Sequence, residues 1–113
     1  MELFGKKILV KLKAKNRGNI LLVMAIDDLI DTIESKDWKS KEDVKKDRSD
    51  ADLVHPDGFY FFDINIHRTM VMLQLGEGAE ANIVWAGTHQ EYDSTFKNNK
   101  VVIKIWFSDK DWI

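Results

Sequence analysis

Three runs rich in aromatic and β-branched residues, Phe59 to Ile64, Thr69 to Leu75 and Glu80 to Ala86, follow one another across short breaks. No other feature restricts the fold as much, because such runs form strands and strands joined by short turns pair as an antiparallel meander. Pro56-Asp57-Gly58 supplies a turn before the first run, and Gly76-Glu77-Gly78 supplies positive backbone angles for the second reversal. The first reversal, around Asn65 and Ile66, has weaker turn chemistry. A last run, Val101 to Phe107, predicts an added strand.

Helices are expected ahead of this sheet. Leu22, Ala25, Ile26, Leu29, Ile30 and Ile33 recur at helical spacing after Gly18-Asn19, while Asp27, Asp28, Asp31 and Glu34 fill the opposite side. Upstream, Ile8, Val10, Leu12 and Ala14 alternate like a strand, yet Phe4, Ile8 and Leu12 also line one helical face, so the local pattern leaves that segment open. Ser40 followed by Asp43 resembles a capping box and predicts a short helix from about Lys41 to Arg48, presenting Lys41, Lys45 and Lys46 to solvent. The fold class expected is α+β: N-terminal helices on a small antiparallel sheet of three to five strands.

With 113 residues, 44% of them hydrophobic, the chain closes one core unaided, and the expected organisation is one domain over 1–113 with 97–113 as a C-terminal extension. It has no cysteine, which removes thiolate metal sites and cysteine nucleophiles and fits a reducing cytoplasm. The longest apolar run, Ile20 to Ile26, is too short to span a bilayer, and the N-terminus lacks the order of a signal peptide. The net charge of -2 conceals an asymmetry. Lys6, Lys7, Lys11, Lys13, Lys15 and Arg17 crowd the first seventeen residues, and a patch of that kind serves either to track phosphates or as a solvated helix face.

The chemistry-bearing residues gather after the third strand run, where Ile83-Val84-Trp85-Ala86-Gly87 leads into Thr88-His89-Gln90-Glu91-Tyr92-Asp93. That string resembles the strand and Thr-His-x-Glu-Tyr-Asp signature of HigB-type toxins of the RelE superfamily. Asp37-Trp38-Lys39-Ser40, Glu42-Asp43-Val44-Lys45-Lys46, Ser49-Asp50-Ala51-Asp52-Leu53, Phe61-Phe62-Asp63-Ile64 and Arg68 match in register, the whole spanning residues 1 to about 96. The resemblance implies a RelE-like fold in which the open N-terminal segment is a helix. It also implies a toxin that cleaves messenger RNA on the ribosome without cofactor or metal and is silenced by a cognate helix-turn-helix antitoxin in a hetero-oligomer.

Cleaving RNA without a metal requires a base for the 2′-hydroxyl, a cation for the charge on phosphorus and an acid for the leaving 5′-oxygen. His89 has the intrinsic range for base or acid; Glu91 would set its tautomer or act as base itself; Tyr92 would donate to phosphate or stack on a base; Arg68 offers a planar fork to phosphate. Lys39, Lys45 and Lys46 would help to hold RNA. Blander roles stand beside these: His89 as a helix-capping residue, Glu91 and Asp93 as first-turn acids, Tyr92 as a core aromatic. Trp38 and Trp85 read as core, and His55 and His67, each near a turn, are assigned no function. RelE-type nucleases are usually basic, whereas this chain has a pI near 5.9. That contrast keeps a non-catalytic RelE-like interaction module as the alternative.

Overall fold

The three strand runs form the expected meander in the computed structural model, which describes residues 1–112. The chain runs β1 (Glu2–Phe4), α1 (Lys6–Lys15), α2 (Ile20–Ser35), α3 (Lys41–Asp47), β2 (Asp52–His55), β3 (Phe59–Ile64), β4 (His67–Gln74), β5 (Glu80–Thr88), α4 (His89–Phe96) and α5 (Lys100–Asp109). The sheet order is β1-β5-β4-β3-β2, antiparallel throughout except that β1 lies parallel to β5. The expected α+β class holds, with a mixed sheet. No described helix is long and apolar enough to cross a membrane.

Alternation along the strands divides the core into two layers. Tyr60, Phe62 and Ile64 of β3, with Val71 and Leu73 of β4, face Leu9 of α1, Leu22, Ile26, Leu29 and Ile33 of α2, and Val44 of α3. Phe59 and Phe61 of β3, with Met70 of β4, face Tyr92 and Phe96 of α4 and Ile103 and Phe107 of α5. The α2 stripe is the one its periodicity predicts, each buried Leu or Ile contributing about 1.5–3 kcal/mol. Its N-cap is Asn19, whose side chain accepts from the Leu22 N–H at 3.1 Å. The segment that remained open is helical: α1 starts at Gly5, whose φ of 78° admits glycine and where a Cβ would run into the Ile83 carbonyl.

The segment Val101 to Phe107, expected as an added strand, is α5 instead. Asn99 caps it, its side-chain oxygen accepting from the Val101 and Val102 N–H groups at 2.8 and 3.3 Å. Only Ile103 and Phe107, one helical turn apart, are buried, while Val101 and Ile105 face solvent. Stacking of Phe107 on Phe59, ring centroids 3.9 Å apart, and the edge-on contact of Trp106 with Phe96 at 5.2 Å reward that geometry over the β-branched propensity of the run. A helix leaves no strand edge there for a partner to extend. The last residue of the extension, Ile113, lies outside the described residues.

Candidate functional site

The end of the β4–β5 pair organises the motif. Arg68 lies opposite Gly87 and His67 opposite Thr88. The register slips once, because Met70 pairs with Trp85 while Val71 pairs with Ile83, leaving Val84 as the extra residue of a bulge. Val84 and Trp85 both pack into the aromatic layer. Gly87 admits the Trp85 indole at a distance where a Cβ would meet ring carbons at 2.9 and 3.0 Å.

Thr88 then turns the strand into α4 through a capping box. Its Oγ1 accepts from the Glu91 N–H at 3.0 Å, and Glu91 Oε1 accepts from the Thr88 N–H at 2.9 Å. The Thr88 N–H holds the Glu91 carboxyl below the usual range. His89 becomes the first residue of the helix and is exposed. Tyr92, one turn on, is buried, its ring 6.4 Å from that of His89 and edge-on to Phe61 at 4.9 Å. Its hydroxyl donates to Asn98 Oδ1 at 3.1 Å, and burial pushes that hydroxyl above its ordinary range. Asn98 reaches it because Lys97 and Asn98 both take left-handed backbone conformations, φ 53° and 46°.

Arg68 packs against the aromatic layer. Its guanidinium carbon sits 4.7 Å from the centroid of Tyr92 and 5.2 Å from that of Phe61, and Nε donates to Asp63 Oδ1 at 3.0 Å. Tyr92 therefore touches both Arg68 and His89, and the three share one corner of the molecule. Glu91 is at the same helix end, held as a cap.

The lysines from the sequence reading are placed elsewhere. Lys39 pairs with Asp37 at 2.9 Å, Lys45 Nζ donates to the Ala51 carbonyl at 2.9 Å, and Lys46 is exposed; α3 packs into the aliphatic layer, across the sheet from Tyr92. In the N-terminal basic cluster, Lys6 pairs with Glu34 and Lys13 with Asp27, so the acids of α2 neutralise part of it. Lys7, Lys11, Lys15 and Arg17 have no ion-pair partner among the described residues. The charge of Lys15 adds slightly to the lowering of the Glu91 carboxyl.

His67, assigned no function from the sequence, is 5% exposed, and its Nδ1 is sealed from solvent without a hydrogen-bond partner. Burial pushes its imidazole below the ordinary range; the field of Glu91 opposes that shift and the field of His89 adds to it. Its cross-strand position beside Thr88 was the available signal, visible only once the register is known. His55, by contrast, accepts the Asp57 N–H at Nδ1 and packs edge-on against Phe59 and Phe107, a structural role. Trp38 and Trp85 lie in the core layers as expected. Among the described residues no group of three or more His, Asp or Glu side chains is placed to hold a metal ion.

The family model for HigB toxins, the RelE-like toxic component of a toxin-antitoxin system, matches residues 23–95. No curated protein matches the chain. The matched stretch holds the α4 motif and the meander; α1 lies before it and α5 after it.

Proposed function

The chain belongs to the HigB toxin family, RelE-like toxic components of toxin-antitoxin systems, and from that premise we propose that it is an endoribonuclease cutting messenger RNA on the ribosome in the cytoplasm. The family implies an antitoxin partner. We take that partner to be a cognate helix-turn-helix protein that silences the toxin in a hetero-oligomer. The observation that carries the catalytic reading is that buried Tyr92 has the Arg68 guanidinium 4.7 Å and the exposed His89 ring 6.4 Å from its own ring.

In this reading the 2′-hydroxyl attacks the adjacent phosphorus, a cyclic phosphate forms and the 5′-oxygen leaves with a proton. His89 exchanges protons with the 2′- and 5′-oxygens, the exposed imidazole being the group with the right intrinsic range. Arg68 meets the charge gathering on the phosphoryl oxygens, and its contacts with the rings of Tyr92 and Phe61 restrict its movement. Glu91 holds the helix start rather than taking a proton, because a carboxylate bound by a backbone N–H and held low is a weak base near neutrality. Tyr92 orients Arg68 rather than donating, since its hydroxyl is occupied by Asn98. RNA backbone is held by the unpaired cations of α1 in preference to Lys39, Lys45 and Lys46 of the α3 region.

Expression of the chain alone should arrest growth and truncate messages inside translated regions. Normal growth with transcripts intact by primer extension would sink the catalytic reading. It would favour a non-catalytic interaction module, in which the Arg68–Asp63 and Tyr92–Asn98 contacts are packing alone.

A further inference from the structure

Strand β3 runs on beyond its edge partner. β2 begins at Asp52, opposite Phe61, so Asp63 lies where no backbone of β2 faces it. Side chains take over there. The Asp63 N–H donates to Asp50 Oδ2 at 2.8 Å, and the Asp63 carbonyl accepts from Arg48 Nη2 at 2.9 Å. Arg48 in turn donates through Nε and Nη2 to the two Asp50 carboxylate oxygens, each at 2.8 Å. One bidentate ion pair thus meets both backbone polar groups of Asp63. The pair is largely buried, and the Arg48 guanidinium carbon lies 5.5 Å from the Phe62 ring centroid. Burial opposes the charge on Asp50, but the bonds from Arg48 and from the Asp63 N–H outweigh it and hold the carboxyl below the usual range. Parting the two would strand a charge in the protein, so the clamp is stiff.

Asp63 is also the cross-strand partner of Arg68, and its Oδ1 accepts from Arg68 Nε. That bond uses Nε alone, which leaves the η nitrogens as the edge that can meet a phosphate. The Arg68 side chain is only 15% exposed, so few orientations bring that edge to RNA. Contact with the Tyr92 and Phe61 rings sets the depth of the guanidinium, whereas a hydrogen bond at Nε also sets its rotation. A carboxylate beside a phosphate site repels the phosphate and weakens ground-state binding. Asp63 serves aim rather than affinity.

We propose that Asp63 is the positioning residue of Arg68, with the Arg48–Asp50 ion pair holding Asp63 by its backbone. The proposal rests on the ribonuclease reading and deepens it: a line of contacts joins Arg48, the residue that ends α3, to the cation at the reacting phosphate. The line crosses β3 at one residue, Asp63, which takes the clamp on its backbone and passes it on through its carboxylate.

The test uses the full chain in ribosome-programmed cleavage, with the Arg68 side-chain Nε–H followed by nitrogen-15 NMR. In the parent that Nε–H should exchange slowly with water and resonate apart from exposed arginines; Asp63→Ala should abolish both properties. The same variant should lower the maximal cleavage rate about tenfold, the low end for a hydrogen bond between charged groups because Asp63 is half-exposed. The ribosome concentration for half-maximal rate should not rise. Asp63→Asn, which restores an acceptor without the charge, should recover most of the rate. In an Arg68→Ala background Asp63→Ala should change nothing further, because a residue acting through Arg68 has nothing left to act on. Arg48→Met, which keeps bulk against Phe62, should shift the Arg68 Nε–H and lower the rate of the folded fraction; should it fail to fold, Asp50→Asn is the milder cut and should move the same signal part of the way. An unmoved Nε–H or an undiminished rate in Asp63→Ala, or additive losses in the double variant, overturns the positioning role and leaves the ribonuclease reading standing. Clamp variants that leave the Nε–H unmoved overturn the part given to Arg48 and Asp50. Absence of cleavage by the parent removes the ribonuclease reading and this proposal with it.

Discussion

On one side of the sheet, Leu22, Ile26, Leu29 and Ile33 of α2 meet Val71, Leu73, Ala81 and Ile83; on the other, Phe59, Phe61 and Trp85 meet Tyr92, Phe96, Trp106 and Phe107. The first layer is held by contacts with little directional preference, so its members act mainly through volume. The second is held by rings with preferred angles and by a cation lying on two of them, so its members also fix orientation. Arg68 and Tyr92 belong to the second layer and His89 touches it. In the proposed mechanism, the side chains that aim at a phosphorus atom are placed where packing is directional.

The sharpest way to separate the layers is to cut equally deep into both. Phe61→Ala should destabilise by about 3–5 kcal/mol and Leu29→Ala by about 2–5 kcal/mol in denaturant unfolding. The folded fraction of Leu29→Ala should cleave at the parental rate, whereas Phe61→Ala should also lose rate, because Arg68 loses one of its two rings. Equal specific activities would abolish the distinction. Next in size, Arg68→Ala should lower ribosome-programmed cleavage roughly a hundredfold, about 3 kcal/mol of transition-state stabilisation, while the circular dichroism spectrum stays native-like. His89→Gln should cost a comparable factor. Full cleavage by both would reduce the motif to a structural turn.

Thr88→Ala breaks the capping box without touching either layer and should cost about 1 kcal/mol in unfolding experiments. A larger loss in cleavage than the unfolded fraction accounts for would show that the helix start, and not only the rings, sets the aim of His89. The smallest effect concerns pH. The folded state holds His67 below its ordinary imidazole value of 6.5, so below that value the unfolded chain binds a proton that the folded chain refuses. Stability should decline as pH falls from the ordinary imidazole range toward the folded value, and His67→Phe should flatten that part of the profile. An identical decline in the variant would assign it to another group.

The aliphatic layer was largely legible in the sequence, since α2 announces its buried stripe by spacing and α3 by its capping residues Ser40 and Asp43. The meander was legible for the same reason. The aromatic layer was less so. Residues Val101 to Phe107 satisfy a strand pattern locally, and their helical state depends on Phe59 and Phe96, distant in the chain. The short strands β1 and β2 carry too few residues to show a period. Thr88 and Glu91 are spaced as a capping box, so the first-turn role of Glu91 stood open beside the catalytic one, and the hydrogen bonds favour the former. The burial of His67 follows from a cross-strand register that no local pattern encodes.

That register depends on Val84. Along a strand, the side to which a residue belongs is a matter of odd and even counting, and an extra residue reverses the count for everything downstream. Were Val84 paired like its neighbours instead of bulged, Trp85 and Gly87 would exchange sides with Ala86 and Thr88, and the turn into α4 would begin from the wrong surface. Substitution cannot produce such an exchange. Deleting Val84 would leave Ile83 opposite Val71 and Trp85 opposite Met70, a regular ladder with its sides unchanged, whereas one further residue inserted after Trp85 would act as a frameshift in three dimensions.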